Sequence, residues 1–112
     1  MKMIIAIIQP HRLDAVRASL NSVGVYGMTT SEVQGDGRQG GHKEIYRGAE
    51  YDIHFVPKIK IEVVVEDMAE DSAVEAICLS AKTGKIGDGK VFVYDASRAV
   101  RIRTGEEGNE AL

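Results

Sequence analysis

The sequence has few of the features that mark secreted, membrane or nucleic-acid-binding proteins. It contains one cysteine, Cys78, so no disulfide can form within the chain, and a reducing compartment is favoured. No apolar run approaches the ~20 residues of a membrane span. The first run stops at Gln9-Pro10 without a signal-peptide cleavage pattern. The formal net charge of −3 argues against a general nucleic-acid binder. We therefore expect a cytoplasmic protein that neither binds nucleic acid nor inserts into a membrane.

Other absences exclude further classes of site. The histidines are His11, His42 and His54, and their spacing matches no zinc template. The first and third predicted strands, given below, contain no aromatic residue, which excludes an RNA-binding sheet of the RRM type. A content of 44% hydrophobic and 28% charged residues is typical of a soluble globular protein, and 112 residues suffice for one domain, 1–112.

Hydrophobic periodicity predicts strands alternating with two helices. An apolar stripe at helical spacing, from Leu13 to Val23, predicts a first helix that ends before Gly24. A second helix has the stripe Val74, Ile77, Cys78 and Ala81, with Cys78 expected in the core, Asp67 or Asp71 as its cap and Gly84 as its end. The predicted strands are Met1–Ile8, Met28–Val33, Lys58–Glu66 and Lys90–Tyr94, with a short fifth at Ala99–Arg103. The order βαββαβ predicts an α+β fold, a ferredoxin-like sandwich.

The first strand predicts an oligomer. Its side chains are apolar on both faces, with Met3, Ile5 and Ile7 on one and Ile4, Ala6 and Ile8 on the other. Two helices cover only one face of such a sheet, and a contiguous exposed apolar patch usually marks an interface. We expect copies of the chain to bury the open faces against one another.

Two segments are candidates for function. The connection Gln34–Val56 is far longer than a hairpin loop, and we expect it to project and to be mobile. The segment Thr83–Lys90, "TGKIGDGK", resembles a Walker A loop, but Val91 replaces the Mg²⁺-binding hydroxyl and a helix precedes it instead of a strand. It is either a phosphate-binding nest of backbone N–H groups or a plain helix-ending turn. Arg101 and Arg103, on one face of the predicted fifth strand, suit a polyphosphate or form a solvated stripe.

Three long segments resemble the PII nitrogen-regulatory signal proteins. They are "GRQGGHKEIYRGAEYDIHFVPKIKIEVVV", "TGKIGDGKVFV" and "AVRIRTGEEGNEAL", and the likeness extends from Met1 to Leu112 without gaps. The resemblance implies a cytoplasmic homotrimer of ferredoxin-like subunits that binds ATP or ADP in clefts between subunits. With ATP and Mg²⁺, members of this family also bind 2-oxoglutarate. A long T-loop (about 35–57), a phosphate loop (83–90) and a C-terminal segment (99–112) are expected.

The resemblance assigns roles to individual residues. Gln39 would be the side-chain ligand of Mg²⁺, and Lys58 would pair with a 2-oxoglutarate carboxylate, although spacing alone favours a solvated lysine. The adenine and ribose would lie near Thr29, Glu62 and Val64, with Ile7 behind. Gly37 and Arg38 would also approach the nucleotide. The phosphates would meet Gly87, Asp88, Gly89, Lys90, Arg101 and Arg103, with the two last arginines reaching the glycine loop across a subunit boundary.

The T-loop also contains a candidate modification site. Tyr51 stands where many bacterial members are nucleotidylated, near the tip of the loop, or else it packs on a partner. Ala49 stands where phosphorylated members have serine, which closes that route. The partners implied by resemblance are an ammonium transporter, the nucleotidylating enzyme and enzymes that control glutamine synthetase.

Departures from the family pattern concern the 2-oxoglutarate site. Gln9 and Gly40 replace common basic residues, and Asp36 replaces a common aromatic residue, which predicts weakened binding of the dianion. The leading hypothesis is a regulatory binding protein and not an enzyme. The alternative is a slow ATP-hydrolysing regulator of the same fold, with Asp88 as a candidate to orient water and with little response to 2-oxoglutarate.

Overall fold

The fold is a four-stranded antiparallel sheet with two helices on one face. A computed structural model describes residues 1–37, 43–46, 49–52 and 54–112, with 43–46 and 49–52 described by their backbone alone. The elements are β1 Lys2–Ile8, α1 Leu13–Ser22, β2 Thr29–Gly35, β3 Lys43–Tyr46, β4 Ala49–Asp52, β5 Val56–Val65, α2 Glu70–Ala81 and β6 Lys90–Asp95. The main sheet has the order β2-β5-β1-β6, with every neighbouring pair antiparallel. The predicted ferredoxin-like βαββαβ fold is confirmed.

The core lies between this sheet and the two helices. On β1, Ile4, Ala6 and Ile8 are at most 1% exposed. The predicted alternation along β5 is confirmed, because its four alternate apolar side chains are all buried in the same cluster. Each fully buried Ile, Leu or Val stabilises the fold by about 1.5–3 kcal/mol. The cluster comprises Ile4, Ala6, Ile8, Val16, Leu20, Val25, Ile59, Ile61, Val63, Val65, Ala73, Ala76, Ile77 and Ala81.

The opposite face of the sheet has no helix on it. Met3, Ile5 and Ile7 are only partly buried there. The register places Ile5 beside Phe92 of β6, and Phe92 is 45% exposed. Tyr94, beside Met3, is 57% exposed. The open apolar face expected from the first strand is therefore present in the protomer, and its burial in an oligomer stays a prediction.

The prediction for the start of α2 was wrong. Neither Asp67 nor Asp71 caps the helix, because Ala69 occupies the cap position and makes no side-chain cap bond. Asp67 instead lies in a short 3₁₀ turn, Asp67–Ala69, where its carboxylate is 2.8 Å from the Met1 amine. The hydrogen bond and charge of that amine lower the pKa of Asp67.

The end of α2 and the position of Cys78 also differ from prediction. The helix ends at Ala81 and Lys82 is already extended, so Gly84 lies in the following loop. Arg12 donates from Nε to the Ser80 carbonyl oxygen at 2.9 Å, which satisfies an end carbonyl that a glycine cap would otherwise serve. Cys78 is exposed, because α2 contacts the core through other residues, namely Ala73, Ala76, Ile77 and Ala81.

The predicted fifth strand does not form. Val100 makes only an isolated bridge to Glu107, and residues 102–104 are a turn. The Arg101 N–H donates to the Glu106 carbonyl at 2.8 Å, and the Gly105 N–H donates back to the Arg101 carbonyl at 2.8 Å. Gly105 has a φ of +75°, a left-handed conformation that bends the chain where a strand would continue. We call the segment Ala99–Gly108 the C-terminal turn.

The long connection contains regular structure that the sequence did not suggest. The second predicted strand extends to Gly35 and the third begins at Val56. Between them β3 and β4 pair as a separate antiparallel hairpin, with Lys43 opposite Asp52 and Tyr46 opposite Ala49. The mobility of this segment stays a prediction.

Among the described helices, none is long and apolar enough to cross a bilayer.

Candidate functional site

The glycine loop Thr83–Lys90 joins α2 to the first residue of β6. Gly84, Gly87 and Gly89 have φ values of +87°, +105° and +96°. L side chains rarely adopt such conformations, so glycine lets the chain turn three times within a few residues. The loop therefore has the conformation that can present backbone N–H groups to an anion.

Asp88 closes this loop on itself. Its Oδ2 accepts the backbone N–H groups of Thr83 at 2.8 Å and Gly84 at 2.9 Å. Its Oδ1 accepts the Thr83 hydroxyl. The hydrogen bonds from Thr83, more than the other contacts, lower the pKa of Asp88. Both carboxylate oxygens thus accept hydrogen bonds from the start of the loop, and we call these three hydrogen bonds the clip.

Lys58 fixes the loop from the sheet side. It is 6% exposed and is the one buried charged side chain in the described part of the chain. Its Nζ donates to the Gly87 carbonyl oxygen at 2.6 Å. Desolvation lowers the pKa of Lys58, and the nearby charge of Asp88 partly opposes that effect. The start of β5 and the glycine loop are therefore held together by a buried ammonium group.

Gly89 is in direct contact with the backbone of β1. A Cβ placed on Gly89 would lie 1.7 Å from the Ile7 carbonyl oxygen and 2.7 Å from its carbon. Lys90 follows at once, opposite Ile7 in the β1–β6 register, and its side chain is exposed. Since only glycine fits at position 89, the loop can approach β1 closely and deliver Lys90 to the sheet edge.

The structure describes less of the other residues that were predicted to lie near the glycine loop. Gly37 is exposed and lies two residues beyond the end of β2. A Cβ placed on Gly35 would lie 3.5 Å from Cγ of Lys58. Arg38 and Gln39 lie outside the described residues. Tyr51 belongs to β4 and pairs with Glu44, and only its backbone is described.

A second group of predicted residues lies toward the other end of the sheet. Thr29 of β2 pairs with Glu62 of β5. Val64 lies two residues further along, where it lines a cavity of about 510 Å³ together with Leu112. Arg101 reaches the same region, because its Nη2 donates to the Leu112 carbonyl oxygen at 3.3 Å.

Arg101 and Arg103 differ in their surroundings. Arg101 Nη1 is 3.2 Å from Glu106 Oε1, and both side chains are partly exposed. Arg103 lies within the C-terminal turn, is exposed, and has no ion-pair partner among residues 1–37 and 54–112. The two arginines do not project from one strand face, as the i, i+2 spacing predicted, because the chain turns between them.

The path of β6 separates the two groups. This strand runs from Lys90, opposite Ile7, to Asp95, opposite Lys2, and the next N–H, of Ala96, donates to the Met1 carbonyl at 3.1 Å. The C-terminal turn therefore starts at the end of the sheet away from the glycine loop. Along β5, Lys58 and Val64 are six residues apart, or about 20 Å at ~3.3 Å per residue. One protomer does not bring Lys90 and Arg101 to the same phosphate group.

Sequence reasoning missed two of the groups that shape the site. Thr83 is the main partner of Asp88, and Glu106 is the counter-ion of Arg101. A threonine and an aspartate on either side of a glycine-rich turn are a signal for a side-chain clip of this kind. The acidic pair in "TGEEGN" was the signal for the second contact.

The chain is similar to known proteins over its whole length. A family model described as Nitrogen regulatory protein P-II matches residues 1–106. The Nitrogen regulatory protein P-II of Pasteurella multocida is 60% identical over 112 residues, which cover 100% of both chains. That of Haemophilus influenzae is 59% identical, and the Nitrogen regulatory protein P-II 1 of Escherichia coli K12 is 58% identical, again over 100% of both chains. The chain therefore belongs to the nitrogen regulatory protein P-II family.

Proposed function

We propose that this protein is a nitrogen-regulatory signal protein that binds ATP or ADP between protomers and reports the bound nucleotide through residues 35–57. The observation that carries the proposal is the placement of the predicted phosphate ligands at opposite ends of one sheet. The glycine loop and Lys90 lie at one end, and Arg101 with the C-terminal turn lies at the other. Two adjoining copies are needed to join the halves into one pocket.

A symmetric ring supplies that arrangement. The open face of the sheet displays Met3, Ile5, Phe92 and Tyr94, which a monomer leaves partly exposed to water. Burying such a patch drives association, and a head-to-tail interface places different residues from two copies at each boundary. We propose a homotrimer, as the family resemblance implies, with three equivalent clefts.

The chemistry of each cleft suits a polyphosphate. The glycine loop offers backbone N–H groups, Lys90 is an unpaired ammonium within the described residues, and the neighbouring copy adds Arg101 and Arg103. Guanidinium groups bind phosphate oxygens in a planar, two-pronged manner. Thr29, Glu62 and Val64 of that same neighbour then lie beside the adenine and ribose, with Ile7 behind.

A magnesium ion fits this pocket as a companion of the nucleotide. No group of three or more His, Cys, Asp or Glu side chains that could hold a metal occurs in the described part of the chain, and Asp88 already has both oxygens engaged. The ion would depend on phosphate oxygens and on Gln39, which suits Mg²⁺. When bound, it would neutralise charge on the phosphates.

We propose that 2-oxoglutarate binds to Lys58, but weakly. An ammonium group has three donors, so Lys58 can bind a carboxylate while it keeps the Gly87 carbonyl. Gln9, Asp36 and Gly40 leave the region less positive than in typical members of the family. Each missing charged contact costs about 1.5–3 kcal/mol, or roughly one to two orders of magnitude in affinity.

The signal would be a change in residues 35–57. Lys58 lies one residue beyond that segment and holds the glycine loop, so ligands at the loop act directly on the base of the segment. ATP and ADP differ by the γ-phosphate, and they would therefore favour different arrangements. The proposed readers are an ammonium transporter, a nucleotidylating enzyme that modifies Tyr51, and enzymes that control glutamine synthetase.

The alternative of a slow ATP-hydrolysing regulator is not favoured. Asp88 was the candidate to orient an attacking water, but its Oδ1 and Oδ2 accept hydrogen bonds from Thr83 and Gly84. Freeing an oxygen would break the loop that holds the phosphates. Turnover above about 1 s⁻¹, the low end of ordinary enzymes, would favour the enzyme instead.

Calorimetry and sedimentation together test the proposal. We expect a trimer that binds ATP and ADP, with Lys90→Ala and Arg101→Ala each weakening binding by about tenfold or more, since each removes a charged contact of about 1.5–3 kcal/mol. Arg17→Ala is the matched control, because Arg17 is exposed on α1, outside the site. A monomer, or wild-type protein that binds neither nucleotide at millimolar concentration, contradicts the proposal.

A further inference from the structure

We infer that Asp88 is a positioning residue whose side chain holds the phosphate loop in its binding conformation without contacting the nucleotide. The inference rests on the proposed function and deepens it. Three donors from Thr83 and Gly84 converge on the two oxygens of Asp88. They fix the distance between the first two residues of the loop and the sixth.

Lys58 holds the part of the loop that lies between Gly84 and Asp88. Its Nζ donates a hydrogen bond to the Gly87 carbonyl oxygen at 2.6 Å. In a trans peptide the carbonyl and the following N–H point in opposite directions. The N–H of Asp88 therefore points away from Lys58. The side chain of Asp88 and its backbone thus serve different purposes in the same turn.

The surrounding charges fit a positioning role. A carboxylate in a loop that receives phosphates would repel them if it faced the ligand. Here its charge is turned toward two backbone N–H groups and a hydroxyl, which stabilise the anion within the loop. The loop is then preformed before any ligand arrives. Preformed loops gain affinity because less conformational entropy is lost on binding.

Lys85 also belongs to this turn. Its N–H donates to Thr83 Oγ1 at 3.3 Å, while the hydroxyl of Thr83 donates to Asp88. The clip therefore includes Thr83, and a second variant can test it from the other side. Thr83→Val removes the hydroxyl and keeps the backbone N–H group that Asp88 accepts.

The test compares two variants of Asp88 by calorimetry with ATP, Mg-ATP and adenosine. Asp88→Asn keeps an oxygen that can accept the N–H groups of Thr83 and Gly84, whereas Asp88→Ala keeps none. Fixing the backbone of one residue corresponds to about 5- to 30-fold in an equilibrium constant. We expect Asp88→Ala to weaken ATP binding by at least the lower end of that range, about fivefold, with or without Mg²⁺. Asp88→Asn should weaken it by about threefold at most. Adenosine binding should not change, because it does not use the loop.

Other outcomes overturn the inference. Equal losses in both variants that occur only with Mg²⁺ present would make Asp88 a metal ligand. Tighter ATP binding by both variants would make it a repulsive charge that faces the ligand. Asp71→Ala, an exposed carboxylate on α2, is the control for a general change in net charge.

Amide hydrogen exchange without nucleotide separates this inference from the proposed function. We expect the Thr83 and Gly84 amides to be protected in the wild type and in Asp88→Asn, and to exchange faster in Asp88→Ala. That pattern in a protein that binds no ATP would overturn the proposed function and still support the clip. Equal exchange in wild type and Asp88→Ala would overturn the clip itself.

Discussion

Replacing Gly89 by alanine tests the close approach on which the phosphate loop is built. The new Cβ would lie 1.7 Å from the Ile7 carbonyl oxygen, whereas real Cβ contacts essentially never fall below 3.0 Å, so β6 and β1 must separate by more than 1 Å. Such overpacking costs about 1–3 kcal/mol. The φ of +96° adds about 1–3 kcal/mol of backbone strain for a residue with a side chain.

Gly84→Ala is the matched control for this change. Gly84 has a similar φ of +87°, but a Cβ there has no atom within 4 Å. Both variants therefore carry the backbone strain, and only Gly89→Ala carries the overlap with β1. At about 4 °C per kcal/mol for a domain of this size, Gly89→Ala should melt about 4–12 °C below Gly84→Ala.

Thermal unfolding at one fixed protomer concentration measures the difference, because the stability of an oligomer depends on concentration. Nucleotide is left out, so that a change in binding does not enter the melting temperature. Melting temperatures within 2 °C of each other would refute the claim that the backbone of β1 leaves no room for a side chain at position 89.

Three further predictions follow from single contacts. The melting-temperature advantage of the wild type over Asp88→Asn should be largest above pH 3.8 and should vanish as the pH falls, since the pKa of Asp88 is lowered in the fold and its protonation leaves a neutral side chain that accepts the loop's N–H groups no better than Asn does. Arg12→Met should destabilise the protein by about 1.5–3 kcal/mol in urea unfolding, because the Ser80 carbonyl loses a charged donor. Glu106→Gln should tighten ATP binding by about 1.4- to 5-fold in calorimetry, because a partly exposed ion pair of about 0.2–1 kcal/mol no longer competes for Arg101.

Each of these has a result that would contradict it. A wild-type advantage over Asp88→Asn that stays constant between pH 6 and pH 3 would argue against the clip. Arg17→Met, which changes an exposed arginine on α1, should leave urea unfolding unchanged. If it costs as much as Arg12→Met, the Ser80 contact is not the cause. Weaker ATP binding by Glu106→Gln would show that Glu106 orients Arg101 for the phosphate.

The parts of the fold that depend on local pattern were predicted from the sequence. The period-two alternation of β1 and β5 is a property of neighbouring residues, and the buried side chains of Ile4, Ala6 and Ile8 follow it. The end of α2 depends on Arg12, which is 68 residues from Ser80 in sequence. A contact at that separation leaves no periodic signal, so the helix end was placed too far along.

The C-terminal turn shows the same limit. Arg101 and Arg103 alternate with apolar residues and match a strand pattern, but hydrogen bonds between Arg101 and the residues after it fold the segment back. For the candidate site, the glycine loop could be recognised from its motif. The threonine and aspartate that flank the loop were a signal for the clip, but their spacing did not show that the two side chains meet. The sharing of the site between two subunits came only from the family resemblance, because spacing alone does not show which ligands lie at which end of the sheet.

The most direct test of the shared pocket is a mixed oligomer of Lys90→Ala and Arg101→Ala chains. Each variant alone should bind ATP weakly at every site. After the two are unfolded together and refolded in equal amounts, about a quarter of the sites should regain wild-type affinity, because a site between two randomly chosen copies has that chance of an intact Lys90 from one and an intact Arg101 from the other. Calorimetry counts these sites. No recovery in the mixture would mean that both residues act within one protomer, which would contradict the account.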